Sequence, residues 1–186
     1  MAPFSADTRG PVPAGSLTQR WLEIDTFIMD MDGVLTNSYV LCYESGEVVR
    51  GLHSKDGFAL QLAARLGYRL CVLSGGHAPA METRFSRLGV GEVLMNVPYK
   101  LDAYTAYRER HGLQNAQILY IGDDVPDYEV MQKAGLAVAP ADAAPDILHL
   151  ADFITQREGG RGCVREVIER TLKLQNRWYS PEALTW

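Results

Sequence analysis

The chain has 186 residues, 47% of them hydrophobic and 22% charged, with a formal net charge of −5. That length suits one domain with a substantial core, and the composition is that of an ordinary globular protein. The mild acidity argues against a general nucleic-acid surface, which needs clustered Lys and Arg, and no apolar run approaches the roughly 18 residues of a membrane span.

Residues 1–20 are rich in Pro, Gly and Ala and lack the apolar stretch of a secretory signal, so a loose N-terminal extension is expected there. From Glu23 onward, short apolar runs alternate with helix-like stretches, which predicts an α/β domain with a doubly wound parallel sheet over 21–175. The strand candidates are 27–29, 69–73, 92–95, 118–121, 136–139 and a weak one at 152–154. Helices are expected near 56–66, 79–88, 100–111, 126–134 and 143–150.

One segment breaks the alternation. Residues 39–50 read as a β-hairpin flap turning at Glu44-Ser45-Gly46, inserted between the first strand and the first helix. No other insertion is large enough for a cap domain. The apolar and aromatic residues of the flap (Tyr39, Val40, Leu41, Tyr43, Val48, Val49) either form an interface or pack one face on their own domain. The tail, 176–186, carries Trp178, Tyr179 and Trp186, which suit docking on a protein surface. Cys42, Cys71 and Cys163 are odd in number and widely spaced, so they are expected to be reduced, in keeping with a cytoplasmic protein.

Ligands of doubly wound sheets bind at the carboxyl ends of the strands. The first strand ends in Asp30-Met31-Asp32-Gly33-Val34-Leu35-Thr36. A period of two puts Asp30 and Asp32 on a common side, where two carboxylates repel unless a cation or a shared proton compensates. Magnesium, a hard cation that takes oxygen ligands and substrate phosphate, suits such a pair. The second strand ends in Ser74-Gly75-Gly76, a hydroxyl and two glycines that let an anion approach. Lys100 follows the third strand as a compact cation for a phosphoryl group. The fourth ends in Gly122-Asp123-Asp124-Val125-Pro126-Asp127, a second carboxylate cluster that could also simply cap a helix. Each motif alone is weak evidence; their order at successive strand ends is the argument.

These residues resemble the four motifs of the haloacid dehalogenase superfamily of phosphohydrolases, over about 27–175. The absent cap, the flap and the stretch Gly159-Gly160-Arg161-Gly162-Cys163-Val164-Arg165-Glu166 are similar to its capless branch. The resemblance implies a magnesium-dependent phosphatase in which Asp30 is the nucleophile and Asp32 the general acid and base. Ser74 and Lys100 would hold the phosphoryl oxygens. The metal would be held by Asp30, the Asp32 main chain and Asp123, with Asp127 and Asp124 in support and Thr36 bracing the loop. It further implies a small sugar-acid phosphate as substrate, an octulosonate 8-phosphate first and a nonulosonate 9-phosphate second, and a homotetramer whose flaps meet. Octulosonate phosphatases commonly carry arginine two places after the motif hydroxyl, where this chain has Gly76. A substrate carboxylate would then need another cation, with Lys55, Arg161 and His77 as candidates beside Gly75 and Gly76. A catalytically silent scaffold of the same fold would be expected to lose Asp30, Asp32, Lys100 or Asp123, and all four are present.

Overall fold

A computed structural model describes residues 15–184. Helix α1 (Leu17–Glu23) leads into strand β1 (Thr26–Met29), and the flap follows as β2 (Leu41–Cys42) and β3 (Val48–Val49). The alternation then runs α2 (Ser54–Arg65), β4 (Arg69–Leu73), α3 (Pro79–Arg87), β5 (Glu92–Leu94) and α4 (Lys100–Arg110). It closes with β6 (Ile118–Ile121), α5 (Tyr128–Lys133), β7 (Leu136–Ala139), α6 (Pro145–Leu150), β8 (Phe153–Ile154) and α7 (Cys163–Leu174).

The described residues form a six-stranded parallel sheet in the order β5-β4-β1-β6-β7-β8, so β1 is central and pairs with β4 and β6. Strands β1, β6 and β7 are buried along their whole length, which is why they read as continuous apolar runs rather than alternating ones. Side chains alternate between two cores. Phe27, Met29, Val72, Ile121 and Val138 meet residues of α1, α2, α3 and α7 on one face. Ile28, Cys71, Leu73, Tyr120 and Ala137 meet α4, α5 and α6 on the other. Chain order reverses beside β1, between β4 and β6, and the site lies at that switch point.

Two expectations change. Residues 17–20, expected to end a loose extension, are helical: Ser16 caps the Gln19 amide, and Trp21 and Arg20 are buried. Arg20 ion-pairs with Asp152 and donates to the Gly135 carbonyl, so a charged residue ties α1 to the sheet edge. Residues 1–14 and 185–186, with Trp186, lie outside the described residues. The flap is also shorter than its sequence pattern, with two-residue arms paired at Leu41–Val49 and Cys42–Val48. Its six apolar side chains are all exposed, so they do not pack on their own domain.

All three cysteines are free thiols, Cys71 and Cys163 buried. Among the described residues no helix is long and apolar enough to cross a membrane. In the tail, Trp178 is buried on Phe58, with the Arg165 guanidinium 4.3 Å from its ring centroid, whereas Tyr179 is exposed.

Candidate active site

The ends of β1, β4 and β6 and the start of α4 meet around a cleft of about 750 Å³. Its lining includes Asp30, Asp32, Ser74, Gly75, Gly76, Lys100, Asp123, Asp124 and Asp127. Asp30 leaves β1 with its amide still bonded to the Ile121 carbonyl at 2.9 Å, so the sheet fixes its backbone. Its carboxylate is buried, with Oδ1 at 3.0 Å from the Lys100 ammonium. The same ammonium lies 2.7 Å from Oδ1 of Asp127, which is wholly buried.

Asp127 is an organiser. Its Oδ1 accepts from Lys100 and from the Tyr120 hydroxyl, while Oδ2 accepts from the Asp123 amide at 3.1 Å. Asp124, by contrast, turns its carboxylate onto the Val125 amide at 2.8 Å, capping the 3₁₀ turn that opens α5. That capping keeps it out of the carboxylate group formed by Asp30, Asp123 and Asp127, whose oxygens all lie within 4.8 Å of one another.

Three carboxylates and one ammonium leave an excess of negative charge in a poorly solvated place. Burial, then the Asp127 charge, push the Asp30 carboxyl up to about 6 in spite of Lys100. Burial, then Asp30 and Asp127, push Asp123 up to about 8. Burial works against the Lys100 charge, but Asp127 and Asp30 outweigh it and its pKa is raised. Oδ1 of Asp123 is buried with no hydrogen-bond partner. A hard divalent cation supplies what this group lacks: positive charge, and a partner for the lone pair of the orphaned oxygen. The residues present therefore fit magnesium.

The approach of Asp123 to the first loop is permitted by Gly33. Its φ is +91°, and a Cβ there would stand 1.9 Å from Asp123 Oδ2. The loop is walled from behind by the segment before α7. A Cβ on Gly159 would meet the Gly33 carbonyl oxygen at 1.9 Å, and the Gly160 amide donates to the Val34 carbonyl at 2.8 Å.

Asp32 sits nearer the surface. Thr36, itself buried, donates to its Oδ1 at 3.0 Å, the loop-bracing contact expected of it. Arg50, at the base of the flap, grips both oxygens, Nε to Oδ1 at 2.8 Å and Nη2 to Oδ2 at 3.0 Å. Ser74 is buried, and its Oγ accepts from the Gly76 amide at 3.1 Å, leaving its own proton free for an anion.

Lys55 and Arg161 are not at this cleft. They line a separate one with Arg157, Arg165, Arg170 and Lys173, because the N-termini of α2 and α7 carry them away from the β4 end. Sequence reasoning also missed two residues. Arg50 was discoverable as the only basic residue in 39–50. Tyr120 carried no signal, since it reads as strand core and only its hydroxyl reaches the site.

Comparison with known proteins agrees with this geometry. The profile of the haloacid dehalogenase-like hydrolases matches residues 78–167. The 3-deoxy-D-manno-octulosonate 8-phosphate phosphatase of Escherichia coli K12 is 33% identical over 168 residues, 90% of this chain and 89% of that one. The crystal structure of the enzyme of that name from Yersinia pestis superposes with a TM-score of 0.84 at 33% identity, covering 87% of each chain. The Moraxella catarrhalis phosphatase, in complex with magnesium, phosphate and 3-deoxy-D-manno-octulosonate (KDO), gives 0.84 at 29% identity, over 87% of this chain and 92% of that one. A central strand that ends in a buried aspartate, a lysine and an acidic strand end around one uncapped cleft, in a chain this similar to those enzymes along nearly its whole length, place it as a phosphatase of the capless branch of the haloacid dehalogenase superfamily.

Proposed function

We propose that the chain is a magnesium-dependent phosphomonoesterase that releases phosphate from a sugar-acid phosphate, KDO 8-phosphate, through an aspartyl-phosphate on Asp30. The observation that carries the chemistry is the Asp30–Asp123–Asp127 group around a single ammonium, with one buried carboxylate oxygen unpartnered. Such a group is strained without a cation and suited to a phosphoryl group once one is bound.

In this reading Asp30 attacks phosphorus while Asp32 gives its proton to the leaving sugar oxygen. Asp32 then takes a proton from the water that attacks the aspartyl-phosphate, and inorganic phosphate leaves. Lys100 and Ser74 hold the phosphoryl oxygens, and Asp127 keeps the Lys100 ammonium aimed at them. Magnesium bound by Asp30, Asp123 and the Asp32 main-chain carbonyl would offset the phosphoryl charge that otherwise repels a carboxylate nucleophile.

The substrate rests on the relatives: the Moraxella catarrhalis structure holds magnesium, phosphate and KDO together. Gly76 favours a second reading, a nonulosonate 9-phosphate, since no side chain there reaches toward a substrate. The exposed apolar flap supports a homotetramer in which flaps meet, and the reduced thiols fit a cytoplasmic setting.

The test is phosphate release from a panel of sugar phosphates with and without magnesium, with Asp30→Asn as the control. Metal-dependent release from KDO 8-phosphate that vanishes in the variant is expected. Release only from a nonulosonate 9-phosphate would keep the chemistry and replace the substrate. No release from any ester, aryl phosphates included, would favour a silent scaffold.

A further inference from the structure

The cleft is short of cations for a substrate with two anionic groups. Its lining carries Asp30, Asp32, Asp123, Asp124, Asp127 and Glu129 against Lys100 alone, and Lys100 is already shared between Asp30 and Asp127. A phosphoryl group would take that ammonium. A carboxylate on the same molecule needs a second cation, and Lys55 and Arg161 line another cleft.

Arg50 is the cation in reach. It stands at the foot of an exposed flap, yet its side chain is only 10% exposed because it turns inward onto Asp32. The space beside its guanidinium is kept open by Gly76, where a Cβ would lie 3.5 Å from Arg50 Nη2 and 3.6 Å from Asp32 Oδ2. Any longer side chain at 76 would occupy the room into which the guanidinium can turn. A planar fork that already holds one carboxylate in bidentate fashion is the right shape for another.

The contact with Asp32 also has a cost for the reaction. Both oxygens of Asp32 accept N–H groups from Arg50 and Oδ1 also accepts from Thr36, so while the guanidinium stays in place a single acceptor site on Oδ2 is left to serve the leaving group. We infer that Arg50 is a specificity residue that exchanges Asp32 for the carboxylate of the substrate, so that a carboxylate on the leaving group both anchors the sugar and frees Asp32 to face the scissile oxygen. The inference rests on the proposed sugar-acid phosphatase reading. It makes the flap a reader of leaving-group charge, not just an interface strand.

The test compares kcat/KM for KDO 8-phosphate and for arabinose 5-phosphate, a sugar phosphate with no carboxylate, in the wild type, Arg50→Gln and Arg50→Lys, all at saturating magnesium. Circular dichroism and thermal melting verify folding, and Arg50→Lys serves if Arg50→Gln does not fold. The ratio of the two kcat/KM values is expected to fall at least tenfold in Arg50→Gln, mainly through KM for the acid sugar. Arg50→Lys, which keeps the charge and loses the fork, should fall between it and the wild type. A ratio that moves by less than tenfold in Arg50→Gln, both substrates weakening together, overturns the inference and leaves the phosphatase reading intact. A wild type that releases phosphate from no ester, with KDO 8-phosphate, a nonulosonate 9-phosphate and aryl phosphates all tried, overturns both.

Discussion

The Lys100 ammonium lies 2.7 Å from an oxygen of Asp127, a carboxylate with no solvent exposure that also holds Tyr120 and the Asp123 amide. Removing Lys100 leaves the buried Asp127 carboxylate without a counter-charge, whereas removing the Asp127 charge leaves Lys100 on Asp30. Lys100→Met is expected to lower stability by about 3 kcal/mol, and Asp127→Asn by less. Urea unfolding of the metal-free proteins measures this. Lys100→Met should also lower kcat by about 100-fold or more, because a preorganised cation on the phosphoryl oxygens is lost. An active Lys100→Met would remove Lys100 from phosphate binding.

The raised carboxyls give a pH dependence with a defined sign. Asp123, at about 8, and Asp30, at about 6, bind protons more tightly in the folded chain than at the ordinary aspartate value of 3.8. Their contribution to stability is therefore complete below that value and is lost as pH rises through 6 and then 8. Metal-free protein should melt at progressively lower temperature between about pH 5 and pH 9. In the proposed reading magnesium would be held by the ionised carboxylates, so its stabilising effect should grow over the same interval. Asp123→Asn should flatten both trends. Melting curves with chelator and with excess magnesium decide it.

Gly33→Ala tests the approach of the two acidic strand ends. Added methyl and Asp123 carboxylate cannot occupy the same place, and a φ of +91° is strained for alanine. The expected outcome is a chain that folds with a loss of about 1–3 kcal/mol and binds magnesium at least tenfold more weakly by calorimetry. Wild-type magnesium affinity in Gly33→Ala would show that Asp123 takes no part in metal binding.

Trp178 makes a prediction about the tail. It is buried against Phe58 of α2 and Arg165 of α7. Trp178→Ala should cost about 3 kcal/mol while kcat per folded molecule stays within twofold. A silent substitution would mean that the tail docks without contributing to the fold.

A charge placed in the flap tests assembly. Leu41 and Val49 face each other across it, both exposed. Leu41→Asp should convert a tetramer to smaller species in light scattering, with the monomer's melting temperature unchanged. A monomeric wild type would remove the flap interface.

The strands were legible because buried parallel strands are unbroken apolar runs, and part of the site because Asp30, Ser74 and Asp123 fall just where such runs end. What escaped the sequence depended on contacts between distant positions. Helix α1 hides a core contribution in Arg20, a residue type read as surface until Asp152 and the Gly135 carbonyl are seen beside it. Lys55 and Arg161 were read from their nearness in sequence to other motifs, whereas the helix starts that carry them open onto a different cleft. Arg50 lies 18 residues from Asp32, and no periodicity brings a flap residue back to a strand end. Asp124 and Asp127 stand three apart in one cluster, and only the turn between them decides that one caps a helix while the other holds the lysine.

The wall formed by Gly159 and Gly160 behind the first loop has a practical consequence for redesign. Backbone from a segment more than 120 residues away packs against the Gly33 carbonyl and donates to the Val34 carbonyl, and it offers no side chain to the cleft. A transplant of residues 30–36 into another scaffold would carry every acidic group of the first motif and none of the surface against which it is moulded. The smallest portable unit of this active site therefore spans both ends of the domain, and the two segments can be altered only as a pair.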